Sequence, residues 1–256
     1  MRTPASYARW VRDVHGMKND APLDVDRLAE CCGVQLYEDR FDGFLGLWFK
    51  VGVVHAIVLD QRQIPTRRRF TLAHELGHAC MPGQANAASL RCLAADLSGA
   101  DTDKTTEREA NEFAAELLAP RHLVGPMLTT GSVSLAKGQQ VADRFEISLT
   151  AGARRVVEWA GQAAALVLCD DGHVMWSVRR SGFPYGLPCK GDPIPPGTLA
   201  AYTWSGETGA LEPQETDAIQ WLREGERQQS LTMLESAIRL GDTRQVLSLL
   251  WIPELE

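Results

Sequence analysis

A chain of 256 residues with 45% hydrophobic and 23% charged residues can bury a sizeable core, and it has room for one large or two small domains. A net charge of −7 and a pI near 5.4 argue against a protein whose main business is coating nucleic acid, and no apolar run approaches the roughly 20 residues that span a bilayer. The N-terminus lacks a signal-peptide core, and the cysteines Cys31, Cys32, Cys80, Cys92, Cys169 and Cys189 form neither a C-x-x-C pair nor a dense framework, so the expected setting is the cytoplasm, with reduced thiols.

The first elements read as packing. Ala5, Tyr7, Ala8, Trp10 and Val11 have a rough helical rhythm over residues 3–15, and residues 24–32 make a second helix stopped by Gly33. Residues 34–38, 43–51 and 53–59 are rich in Val, Ile, Leu and aromatics, with Gly52 between the last two, which suggests a small antiparallel sheet. Residues 61–69 lead out of it, with Pro65 and Thr66 marking a helix start. Arg62, Arg67, Arg68 and Arg69 make this the most basic stretch, readable as an anion or single-stranded DNA contact or, more plainly, as a solvated helix start with Arg69 packed on a neighbour.

The helix that follows carries Ala73-His74-Glu75-Leu76-Gly77-His78, an H-E-x-x-H pattern. At 3.6 residues per turn, His74 and His78 lie on one face a turn apart, where two imidazole nitrogens can share one metal ion. Glu75 falls beside that pair, in reach of a hydrolytic water and in the position of a general base. Imidazole and carboxylate ligands with one open position favour Zn²⁺. Cys80, two residues past His78, points roughly 200° away on the helix and reads as core.

Residues 79–105 form a connection long enough to need a purpose. Cys92 lies on it beside Leu90 and either packs as a small apolar residue or supplies a thiolate that fills the open metal position as a latency switch. As a latch it gives a direct expectation: Cys92→Ser raises basal activity, and an unchanged time course retires the idea. Asp101 and Asp103 are the expected caps of the next helix, ahead of the T-x-x-E box from Thr106 to Glu109.

In that helix Ala110, Phe113, Ala114, Leu117 and Leu118 form an i, i+3, i+4, i+7, i+8 stripe. Glu107 continues it inward, where an ionised carboxylate is costly unless paired or bound to a metal, and is the candidate third ligand. Asn111, one turn on, is placed to hydrogen-bond a ligand. Glu109, Glu112 and Glu116 turn away as a solvated face. His122, after Pro120, is a candidate oxyanion stabiliser on chemistry alone.

The run RRRFTLAHELGHACMP followed by EREANEFAAELLAP resembles the ImmA/IrrE family of bacterial metallopeptidases, departing from it at Ala119, where the family usually has Met. The resemblance implies that His74, His78 and Glu107 bind zinc and that Glu75 is the catalytic acid/base, in agreement with the facing argument. It implies a zincin-like architecture in which an edge strand aligns the substrate backbone.

Residues 139–145 and 149–160 read as two short amphipathic helices at helix-turn-helix-like spacing, and the resemblance includes such a segment. Arg144, Arg154 and Arg155 could meet phosphate there, although the acidic balance favours a packing role. Residues 164–169 and 173–179 flank Asp170-Asp171-Gly172 as a hairpin, residues 199–204 read as a further strand, and residues 231–240 and 245–252 flank Gly241-Asp242 as a second hairpin, although Leu231, Leu234 and Ile238 also suit a helix. Pro-rich residues 184–196 read as irregular loop.

The expected fold is α+β: a zincin-like metallopeptidase domain over residues 1–128, helix-turn-helix-like helices over 129–161, and an α/β sensory domain over 162–256 that the resemblance makes GAF-like. The resemblance also implies a helix-turn-helix repressor as substrate, cleaved after DNA damage or another stress, with single-stranded DNA or a small-molecule effector as activator and no membrane partner. The competing readings are a zinc-stabilised transcription regulator without catalysis, against which the intact Glu75 counts, and an antirepressor that only binds its partner and delivers it to another protease.

Overall fold

The computed structural model describes residues 3–82, 105–226 and 231–253, together with the backbone of 89–92. The chain divides into two compact units, one of residues 1–123 and 144–148, the other of residues 124–143 and 149–256.

In the first unit, α1 (Pro4–Val14) starts at Thr3, whose side chain accepts from Ser6 N, and α2 (Val25–Cys31) starts at Asp24, which caps Arg27 N. Strands β1 (Val34–Asp39), β2 (Gly46–Val51) and β3 (Val54–Asp60) follow, then α3 (Pro65–Cys80), β4 (Ser89–Cys92), α4 (Thr105–Leu118) and the short α5 (Arg121–Val124). The four strands lie in the order β1-β3-β2-β4.

The sheet is mixed rather than antiparallel as the sequence suggested, because β1 runs parallel to β3 while β2 pairs antiparallel with both β3 and β4. The two-residue turn at Gly52-Val53 commits one edge of β3 to β2, so β1 takes the opposite edge. Pairing partners are chosen by such long-range connections, which local alternation does not report.

Helix α1 packs on α4, and buried Arg12 links them. Its guanidinium donates to the carbonyls of Leu117 at 2.8 Å, Lys18 at 3.3 Å and Asp20 at 2.5 Å, satisfying one of the orphan acceptors at the end of α4. Arg9 pairs with Glu116 at 2.8 Å, and Glu116 also accepts from Arg121 N. This corrects the solvated reading of Glu116, which is 3% exposed. Its partner lies 107 residues away in sequence, beyond the reach of a single helix pattern.

In the second unit, α6 (Leu135–Phe145), which runs out of it at its last turn, and α7 (Leu149–Trp159) cross where two glycines meet. A Cβ on Gly152 would stand 2.3 Å from the Gly138 carbonyl oxygen, so only glycine permits that approach. There follow β5 (Ala163–Asp170), β6 (His173–Arg179), α8 (Leu199–Ser205), β7 (Ala210–Glu215), β8 (Leu234–Arg239) and β9 (Gln245–Ile252). The five strands form one antiparallel sheet in the order β6-β5-β9-β8-β7. Asp171 and Gly172 both take positive φ in the β5–β6 turn, as the sequence there implies.

Residues 199–205 are helical, not a strand. The Thr198 hydroxyl accepts from Ala201 N at 3.1 Å and Gly206 ends the helix in the left-handed region, so the two ends override the β preference of Tyr202, Thr203 and Trp204. Ala163, Ala165, Val167 and Cys169 of β5 pack with Leu199, Ala200 and Trp221 in one core cluster. Ala164, Leu166 and Leu168 are buried too, so β5 is covered on both faces. Among the described residues no helix is long and apolar enough to cross a membrane.

Candidate metal centre

Helix α3 begins with Pro65 at its first turn, and its second half is buried continuously from Thr71 to His78. Helix α4 is packed tightly on it. A Cβ on Gly77 would stand 3.2 Å from Phe113 Cδ1 and 3.3 Å from Ala110 Cα, so the glycine within H-E-x-x-H lets the helices approach closely. Ala110, Phe113, Ala114, Leu117 and Leu118 are all buried against this contact, as the stripe required, and Glu107 follows them inward at 4% exposure. Glu107 lies in the first turn of α4 as described from Thr105; the expected caps Asp101 and Asp103 lie outside the described residues.

The packing brings three donor groups together. His74 Nε2 and His78 Nε2 are 3.1 Å apart, and Glu107 Oε2 lies 3.2 Å from the first and 3.6 Å from the second. This is the cluster of three among the described residues able to hold a metal ion.

Its dimensions and chemistry both fit a cation. A tetrahedral ion with bonds of about 2.0–2.1 Å separates its ligands by about 3.3 Å. His74 Nδ1 lies 2.9 Å from Asn111 Oδ1, and an amide oxygen only accepts, so Nδ1 carries the proton. Burial pushes the His74 imidazole below its usual range, leaving the ring neutral with the Nε2 lone pair aimed at Glu107. Glu107 brings a carboxylate, which when ionised only accepts. Lone pairs meeting at these distances repel unless a positive charge lies among them. Glu107→Ala is accordingly expected to cost metal occupancy, read as metal per chain by elemental analysis; unchanged content removes Glu107 from the ligand set.

Glu75 is fully buried on the same helix, and Asn111 orients His74 from α4. Cys92 enters by its backbone, with its Cα opposite Gly46 across the β2–β4 pair; its side chain lies outside the described residues. His122 is exposed and engages the Lys18 carbonyl at 3.1 Å, so its ring is held by a surface contact rather than at the cluster. Cys80 is partly buried.

The arginine run is mostly used within the unit. Arg68 clamps Asp26 with two bonds of 2.8 and 3.0 Å and reaches Glu38 at 2.8 Å. Arg62 binds Asp60 and the Phe41 carbonyl, and Arg69 binds the carbonyls of Phe145 and Glu146. Among the described residues Arg67 alone of the four is exposed and makes no ion pair, so the plain reading of this stretch is the better supported. Gly46 was not singled out by the sequence: a Cβ there would stand 2.7 Å from Thr71 Cγ2 and 2.8 Å from Glu75 Oε1, and a glycine at an inward strand position facing the H-E-x-x-H helix is the signal that would have found it.

Two histidines from one helix and a carboxylate from a second make a candidate metal-binding centre. The chain matches the peptidase family M78, described as the IrrE N-terminal-like domain, over residues 29–157, and it belongs to that family. It is 28% identical over 166 residues to a radiation response metalloprotease IrrE of Deinococcus deserti, a match that covers 58% of each chain. It is 26% identical over 122 residues to the radiation response metalloprotease IrrE of Deinococcus radiodurans, covering 46% of this chain and 35% of that one. The chain thus spans 58% or less of the length of these curated relatives. A Mycobacterium tuberculosis transcriptional regulator of solved structure shares the fold, with a TM-score of 0.59 over 98% of this chain and 88% of its own at 12% identity.

Proposed function

We propose that the chain is a cytoplasmic zinc-dependent endopeptidase that cleaves a helix-turn-helix transcriptional repressor in response to DNA damage or another stress, so that a silenced operon is expressed. The observation that carries this reading is the convergence of His74, His78 and Glu107 next to an intact Glu75. Zinc bound there would supply Lewis acidity toward a peptide carbonyl and toward water.

The chain's own residues do the rest. Glu75 takes a proton from the attacking water and returns it to the leaving amine. Asn111 holds the His74 ring by its Nδ1–H, fixing which nitrogen faces the ligand position. The burial of His74, His78, Glu107 and Glu75 keeps bulk water away and so strengthens each charge interaction. The names of the Deinococcus relatives support the stress setting. The second unit, an antiparallel sheet with α8 against it, would serve as a GAF-like sensory part answering to single-stranded DNA or a small-molecule effector.

The test is incubation of the zinc-loaded chain with candidate helix-turn-helix repressors from the same organism, with and without single-stranded DNA, followed by mass spectrometry. Two complementary fragments that vanish on chelation are expected. An intact repressor under every condition would favour the non-catalytic regulator or the antirepressor.

A further inference from the structure

Within the second unit a cavity of about 340 Å³ lies between the loop of residues 128–133, the first turn of α6 and the end of α7. That volume falls at the lower end of the range that holds small organic ligands. Part of the lining is apolar, and there Val133, Val156 and Ala160 are buried. The rest is polar, from Thr130, Ser132, Lys137 and Gln162, and none of the lining residues is acidic.

The hydrogen bonds already made leave donors facing this space. Gln162 Oε1 accepts from Trp251 Nε1 at 2.9 Å, and an indole N–H only donates, so the amide is fixed with its NH₂ group as the end that Trp251 does not hold. The carbonyl of Gly161, an acceptor beside it, is taken by Arg180 at 2.6 Å. Thr129 spends its hydroxyl on the Pro126 carbonyl at 3.1 Å, whereas those of Thr130 and Ser132 form no hydrogen bond among the described residues. Lys137 is half-buried and makes no ion pair among the described residues. The loop is turned against it by Gly131, whose φ of +90° suits glycine: a Cβ there would stand 3.8 Å from Lys137 Nζ.

An ammonium partly withdrawn from water, with donors near it and no carboxylate in the lining, is complementary to an anion. One lysine balances one negative charge. The two oxygens of a carboxylate can divide between the ammonium and the amide NH₂, and the apolar lining takes the body of the molecule.

We propose that this cavity binds a small organic carboxylate with an apolar body, its head group received by Lys137 and Gln162. Such a compound is the chemical class to expect for the small-molecule effector of the second unit, a link that rests on the role proposed above; the binding itself does not, and its failure leaves the peptidase reading standing.

Titration of the nitrogen-labelled full chain with benzoate, phenylacetate and hexanoate, with the matching amides and with inorganic phosphate, followed by NMR, decides it. The carboxylates are expected to bind in the millimolar range or tighter and to move the signals of Gly131, the Gln162 side chain and the Trp251 indole. Lys137→Met should weaken them about tenfold, and Lys137→Arg should keep them within about threefold of wild type. Amides that bind wild type as tightly as their acids would overturn the proposal without recourse to any variant. So would a Lys137→Met chain that binds as wild type does, phosphate bound more tightly than every carboxylate, or signals that do not move.

Discussion

Glu75→Gln is expected to keep its metal and lose turnover by about 10²- to 10⁴-fold. The substitution is nearly isosteric, so it fits the space left by Gly46 against the helix, and it removes none of the three groups that converge at the cluster. What it removes is the proton acceptor: an uncharged carboxamide cannot take a proton from water, whatever its position. Zinc per chain and fragment yield, measured on the same preparation, separate the two effects. Retained turnover would reject the general-base role, and lost zinc would show that Glu75 supports the ligands rather than the chemistry.

The largest stability effect is expected far from that site, at Glu235. This carboxylate is completely buried in β8, where five donors meet it: Leu199 N at 2.7 Å, Ala200 N at 3.1 Å, Trp221 Nε1 at 3.0 Å, Ser248 Oγ at 2.6 Å and Thr216 Oγ1 at 3.3 Å. It joins the start of α8, the turn carrying Trp221 and strand β9 in one network. Glu235→Ala leaves these donors buried without their acceptor and should cost about 3–5 kcal/mol, a fall in Tm on the order of 10 °C by circular dichroism. A change under about 1 kcal/mol would mean that water or a rearranged partner replaces it.

Burial pushes the Glu235 carboxyl above its ordinary range, against the hydrogen bonds from Ser248, Trp221, Leu199 and Ala200 that lower it. A carboxyl whose folded value is raised favours folding fully below its unfolded value of about 4.3 and loses that contribution as pH climbs through the folded value. The unfolding free energy of wild type minus that of Glu235→Gln should therefore fall with rising pH across that window; a difference that stays flat would contradict the direction.

The two metal helices were legible because their signals are local. H-E-x-x-H sets its own facing at 3.6 residues per turn, and the Ala110, Phe113, Ala114, Leu117 stripe carries Glu107 inward with it. What the sequence hid depends on partners distant along the chain. Glu116 is buried where Arg9 reaches it from α1, and β1 takes the edge of β3 that the hairpin with β2 leaves, running parallel to it. Residues 199–205 misled through Tyr202, Thr203 and Trp204, whose β preference yields to the Thr198 cap and Gly206. Gly46 looked like an ordinary strand residue until the helix behind it was in place.

A crystal of the wild-type chain grown with zinc and measured at the zinc absorption edge tests the account most directly. One anomalous peak is expected, bound by His74 Nε2, His78 Nε2 and Glu107 Oε2 at roughly 2.0–2.2 Å. An absence of density there under saturating zinc, or a peak ligated without Glu107, would contradict it.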